Sequence, residues 1–235
     1  MVSNMKKIAI IPARGGSKRI PRKNINFFNG KPIIAYSIEI AQESGLFSDI
    51  IVSTDDEEIS QIARSYGASV PFVRSEINSS DHASTADVLL EVLRNFEQAG
   101  QDFTYCCCIY PAAPFIKKED LIEGIDKLIS ENFNVVFPVV KYDHPVWRGY
   151  KLLEGNKVEA NWPEYYNSRS QDLPSLYHDA GQWYWFTVDK FLKNRVLLDS
   201  NTASIVLSSV EVQDIDTVED WMLAEMKYIF LNKKK

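Results

Sequence analysis

Short apolar runs alternate with stretches of helical period along most of this chain. Residues 8–11 are wholly apolar and predict a buried first strand that stops at Pro12. Lys31 and Pro32 then predict a helix with proline in its first turn, carrying Ile34, Ile38 and Ala41 on its inner face. Residues 49–54 predict a second buried strand, which runs into Asp55, Asp56, Glu57 and Glu58. Acidic residues suit the first turn of a helix, whose dipole favours them there; Ile59, Ile62, Ala63 and Tyr66 form its apolar stripe. A short strand is predicted over 70–73. Ser84 and Asp87 have the spacing of a capping box, opening a helix with Leu89, Leu90, Leu93 and Phe96 inward. Strands follow at 103–109 and 135–140, around a helix at 120–129, and again at 181–186 and 204–207. The last helix turns Trp221, Ala224, Tyr228 and Leu231 to one side. Near-continuous apolar strands alternating with helices predict an α/β fold, a mainly parallel sheet with helices on both faces.

The rhythm breaks between 142 and 177, where Trp147, Tyr150, Trp162, Tyr165 and Tyr166 sit among prolines and polar residues. A long irregular excursion this rich in aromatics predicts a surface that a partner covers, hence a homodimer; an arm packed on itself in a monomer is the alternative. The 235 residues suit one domain with this insertion. A net charge of -6 argues against a nucleic-acid binder, and no run of about twenty apolar residues predicts a membrane span. Residues 1–4 read as an extension ahead of Met5 rather than a signal peptide, and residues 233–235 as a frayed tail. Cys106, Cys107 and Cys108 are adjacent, so their side chains alternate between faces of a strand and read as small core residues in a reducing, cytoplasmic setting.

Against that acidic background one loop stands out. Behind the first strand, Gly15 and Gly16 free the backbone, and Arg14, Lys18, Arg19, Arg22 and Lys23 crowd together. Such a density repels itself unless solvated or met by an anion. A glycine turn at a strand end, with cations beside it, suits a polyphosphate; a solvated basic turn is the plainer alternative. The spacing matches neither G-x-x-x-x-G-K-[ST] nor G-x-G-x-x-G. Near the other end, Asp214 and Asp216 face one way in an extended chain while Ile215 faces the other. Paired carboxylates suit a hard divalent ion, Mg²⁺, that substrate phosphates help to bind. An N-cap at Asp216, with Glu219 three residues on, is the competing reading. Ligands of open α/β sheets bind beyond the carboxyl ends of the strands, where both segments should lie.

The run from Pro12 to Asn24 resembles the signature of the CMP-sialic acid synthetase family of cytidylyltransferases. That resemblance implies a Rossmann-like fold of the nucleotide-diphospho-sugar transferase type, with the excursion serving as a dimerisation arm that reaches the partner's site. It implies transfer of CMP from CTP to an acidic nine-carbon sugar. Ala13, Arg14, Gly15, Ser17, Lys18, Lys23, Asn24, Arg74 and Ser84 are the implied nucleotide contacts, and Asp214 and Asp216 the metal ligands. Arg14 and Lys23 are the choices for charge building on the leaving pyrophosphate. Asn24 also reads as a turn residue, Ser84 as a plain N-cap, and Arg74 as a surface ion-pair partner. On the acceptor side, Tyr110, Arg169, His178, Asp179 and Gln182 are implied, with Arg169 or Lys141 offered to the sugar carboxylate; packing on the arm is the other reading of Arg169. Tyr110 stands where many sialic acid synthetases have glutamine, and with Tyr177-His178 the chain looks most like the branch acting on pseudaminic acid. Activation of sialic or legionaminic acid, a nucleotide-sugar-dependent glycosyltransferase and a non-catalytic nucleotide binder are the other readings.

Overall fold

The computed structural model describes residues 5–233, so the extension at residues 1–4 and the last two lysines lie outside the described residues. The chain begins with β1 (Lys7–Pro12), a small ribbon of β2 (Phe27–Phe28) and β3 (Lys31–Pro32), α1 (Ile33–Ser44) and β4 (Asp49–Ser53). There follow α2 (Glu57–Ser65), the single turn α3 (Glu76–Ser79), α4 (Thr85–Gln98), β5 (Tyr105–Ile109), α5 (Lys118–Ser130) and β6 (Val135–Lys141). The excursion holds a hairpin, β7 (Tyr150–Leu152) with β8 (Val158–Ala160), before β9 (Tyr177–Asp179), β10 (Trp183–Thr187), α6 (Val188–Asn194), β11 (Thr202–Leu207) and α7 (Val218–Asn232).

One sheet runs in the order β11-β6-β10-β5-β1-β4, with β9 added to β6. β1 is parallel to β4 and β5, and β11 is parallel to β6, as the apolar runs predict. β10 lies antiparallel to both β5 and β6. Its reversal matters for the site: the residues just ahead of β10 reach the edge where the parallel strands end. Helices cover both faces. Ile34, Ile38, Ile59, Ala63, Leu121 and Ile125 of α1, α2 and α5 pack on one; Leu89, Val92, Leu93, Phe96 and Phe191 of α4 and α6 pack on the other. Cys107 joins the first cluster and Cys106 and Cys108 the second, all fully buried, and burial pushes their thiols up.

A third cluster fixes α7. Phe28 meets Tyr36, Trp221 and Tyr228 edge to face, with ring centroids 5.6, 5.6 and 5.4 Å away. Ile215 is buried in the same cluster. That anchors the strand-like approach to α7 immediately beside the carboxyl edge of the sheet.

Three predicted elements differ. The first helix starts after Pro32, which stands at its N-cap while Lys31 and Pro32 pair with Phe28 and Phe27. The strand expected over 70–73 reduces to isolated bridges of Ser69 to Ile51 and Val73 to Thr54. Pro71 lies between them, and proline removes a ladder donor. In the fourth helix the buried stripe includes Val92, and Leu90 is only partly buried. The excursion leaves from the end of β6 and returns at β9, which pairs with it antiparallel. Within it Trp147 packs against Trp162 and Tyr165, and its Nε1 donates to Pro174 O. Tyr142, Tyr150, Tyr166 and Tyr177 remain exposed. The arm is thus partly packed on itself and partly uncovered.

Candidate active site at the carboxyl edge

A cleft of about 710 Å³ opens where β1 and β5 end. Arg14, Ser17, Lys18, Lys23, Asn24, Arg74, Ser84, Tyr110, Asp179, Asp214 and Asp216 all line it. Eleven of the predicted site residues therefore converge from five separate stretches of chain.

The loop after β1 is built around carboxylates. Gly15 N–H donates to Asp55 Oδ1 at 3.1 Å, and a Cβ on Gly15 would lie 2.6 Å from Asp56 Oδ2. A side chain there would collide with the N-cap of α2, so glycine is required by close approach. Arg22 adopts a left-handed conformation (φ 56°) and pairs with Asp56 and Glu58 at the start of α2. The Arg22 guanidinium holds the Asp56 carboxyl below its usual range, helped by the Ile59 N–H. Arg22 is therefore a support for the loop, turned away from the cleft. Ala13 is buried with its N–H donating to Ser53 O at 2.9 Å, so it shapes the loop rather than facing a ligand.

The other four cations divide between two anions. Arg14 and Lys18 reach Asp81 across the cleft, whereas Arg19 reaches Asp216 Oδ2 at 3.0 Å. Lys23 Nζ donates to Ile215 O at 2.6 Å and lies 3.5 Å from Asp216 Oδ1. The beginning and the end of the chain are joined at this point.

Asp214 and Asp216 share the cleft wall with Ile215 buried between them, as side-chain alternation predicts. The last helix is capped by Thr217 reciprocally with Asp220, which displaces the reading of Asp216 with Glu219 as its cap. Burial and the neighbouring Asp216 push the Asp214 carboxyl up, Lys23 opposing them. Arg19 and Lys23 pair with Asp216 whereas no ion pair reaches Asp214 among the described residues, and a cation held by both carboxylates would relieve that repulsion.

Arg74 is buried, with no carboxylate in an ion pair with it among the described residues, which corrects the surface ion-pair reading. It donates through Nε to Ser53 Oγ at 3.0 Å and through Nη2 to Ser53 O, and burial lowers its pKa to about 10. Asn24 donates from Nδ2 to Arg14 O at 3.0 Å, and its buried Oδ1 has no partner among the described residues. Ser84 caps α4 reciprocally with Asp87 while lining the cleft. The Tyr110 hydroxyl lies 3.5 Å from Thr85 Oγ1, and burial pushes it up to about 12, keeping it neutral. Asp179 accepts from Gly181 N–H at 2.8 Å and from the Tyr184 hydroxyl, and burial raises its carboxyl.

Four predicted acceptor contacts fall outside this cleft. Arg169 lies on the exposed arm, paired with Asp172 at 2.8 Å. Gln182 lies behind the wall, 2% exposed, donating from Nε2 to Glu211 O. His178 and Lys141 line an adjoining hollow of about 350 Å³ that also touches Asp214 and Asp216. Sequence reasoning missed Asp55 and Asp81, the anions facing the loop; a five-cation cluster in an acidic chain was the signal that such partners exist.

A cleft at this edge, with a basic glycine loop facing a carboxylate pair, belongs to proteins that handle nucleotides. The chain belongs to the cytidylyltransferase family, whose model matches residues 8–208. It is 41% identical to the pseudaminic acid cytidylyltransferase of Campylobacter jejuni over 95% of this chain and 97% of that protein. It is 34% identical to the CMP-N,N'-diacetyllegionaminic acid synthase of Legionella pneumophila, covering 98% and 99%. The solved CMP:2-keto-3-deoxy-manno-octonic acid synthetase complexed with CTP shares the fold, with a TM-score of 0.70 at 19% identity over 97% of this chain and 99% of that one.

The support that holds the loop should be acid-labile. Asp56 has a lowered folded pKa, so its contribution is present above the unfolded value of about 4 and is lost as pH falls through the folded one. Asp56→Asn keeps the cap but removes the charge, and is expected to cost about 1 kcal/mol of unfolding free energy at pH 7. In urea titrations the gap should close below pH 4; a gap that does not change with pH contradicts the assignment.

Proposed function

We propose that this chain transfers CMP from CTP to a nonulosonic acid, with pseudaminic acid the favoured acceptor, and releases pyrophosphate. The observation that carries the reading is Lys23, which joins the basic loop to the Asp214–Asp216 segment within one cleft. The kinship with the Campylobacter protein over nearly the full length of both chains supports the choice of acceptor.

In this reading Arg14, Ser17, Lys18 and Lys23 receive the triphosphate, and Asn24, Arg74 and Ser84 lie on the cytidine side. The buried Asn24 Oδ1, without a partner among the described residues, supports a ligand donor there. Asp214 and Asp216 offer oxygen donors to one side of the cleft, burial raises the Asp214 carboxyl, and this donor set fits Mg²⁺ completed by phosphate and water oxygens. Bound there, the ion would neutralise phosphate charge. The acceptor's hydroxyl attacks the α-phosphorus and pyrophosphate leaves, its growing charge met by Arg14 and Lys23. Tyr110 and Asp179 form the wall against which the sugar is held, and Lys141 and His178 border it from the adjoining hollow. Arg169 is left as an arm residue.

The proposal includes a homodimer built on the arm, supported by the uncovered Leu152, Val158 and Tyr150 of its hairpin. It also places the enzyme in the cytoplasm, supported by three free, buried cysteines. Among the described residues no helix is long and apolar enough to cross a membrane.

A pyrophosphate-release assay with each nucleoside triphosphate against pseudaminic, legionaminic, N-acetylneuraminic and ketodeoxyoctonic acids tests the reaction. CTP with pseudaminic acid should give the highest kcat/KM, and Lys23→Ala should reduce it on the order of 100-fold. Turnover with another nucleotide, or a loss under threefold in the variant, contradicts the reading. By sedimentation the protein should have twice the chain mass, and Leu152→Glu with Val158→Glu should halve it; a monomeric wild type contradicts the dimer.

A further inference from the structure

One contact in the cleft spans its two walls. Arg14 and Lys18 belong to the loop after β1, while Asp81 belongs to the turn between α3 and α4. Arg14 Nη1 lies 3.0 Å from Asp81 Oδ1 and donates to Ser80 O at 3.1 Å; Lys18 Nζ meets Asp81 Oδ2. All four residues line the cleft, so this bridge crosses the space beside which a ligand would lie. Arg14 uses only Nη1 for both contacts. A guanidinium has five N–H groups in a fixed fork and an ammonium has three, so both cations keep donors to spare. Phosphate can therefore bind the remaining edge of Arg14 while Asp81 stays in place.

We propose that Asp81 is a positioning residue for the nucleotide: it straps the basic loop to the opposite wall, turns the open donors of Arg14 and Lys18 toward the phosphates, and slows nucleotide release. This rests on the reading of the cleft as a CTP site. Without the strap, Arg14 and Lys18 repel each other and must be ordered by the ligand itself, which weakens binding. Charge alone predicts the reverse, because a carboxylate beside a triphosphate repels it and its loss should tighten the complex. The two effects have opposite signs in the dissociation rate.

Stopped-flow displacement of a fluorescent cytidine triphosphate from wild type, Asp81→Asn, Asp81→Ser and Asp81→Glu separates them. Both Asp81→Asn and Asp81→Ser should dissociate about tenfold faster, with an association rate unchanged or raised because a rim anion has gone. Their melting temperatures should match the wild type, since Asp81 is a surface group. Asp81→Glu, which restores the anion, should recover most of the residence time. Dissociation that is unchanged or slower in the neutral variants overturns the strap. Absence of binding by the wild type overturns the nucleotide reading and this inference with it.

Discussion

The ammonium of Lys23 closes a gap of 193 residues between the basic loop and the acid pair. Its partners are a backbone carbonyl and a carboxylate, so it fixes the position of the strand-like segment 214–216 as well as its charge. Both ends of that contact are held from behind. On one side, Arg22 is anchored on the N-terminus of α2 and Asn24 holds the Arg14 carbonyl. On the other, Ile215 is buried against the aromatic cluster, and Thr217 starts a capped helix immediately afterwards. Hydrophobic burial places the backbone, and the charges need only span the last few ångströms.

That division of labour suits a site that must exchange ions. The pairs joining the loop to Asp81 and Asp216 are partly exposed, and such pairs contribute about 0–1 kcal/mol each. Little free energy is lost when Arg19 leaves Asp216 for a triphosphate carrying several charges, and Arg14 and Lys18 can offer it their spare donors without leaving Asp81. The backbone beneath them does not depend on those pairs, because Gly15 is packed on Asp56 and Ala13 is tied to β4. A pre-shaped loop whose oriented cations keep donors free is what electrostatic stabilisation of a leaving pyrophosphate asks for.

Features with a local physical cause were legible in the sequence. The capping box at Ser84, the alternation at Asp214, Ile215 and Asp216, and the alternating cysteines all depend on spacing within a few residues. Features set by distant partners were not. The reversal of β10 depends on its pairing with β5 and β6, and it brings Asp179 and Gly181 to the edge while leaving Gln182 behind the wall. Arg74 lacks a sequence neighbour that announces its burial against Ser53. Arg169 has the right charge for an acidic sugar, but its arm carries it away from the cleft in a single chain. The cap of α7 shows how close two local readings can be: moving it one residue from Asp216 to Thr217 leaves the Asp216 carboxylate on the cleft wall.

The most direct test of the account is a crystal structure with CTP and Mn²⁺, using the anomalous signal to locate the ion. The account predicts an ion bridging Asp214, Asp216 and the phosphates, with Lys23 within hydrogen-bonding distance of a phosphate oxygen. A triphosphate bound away from Lys23, or an ion bound without contact to either aspartate, would contradict it.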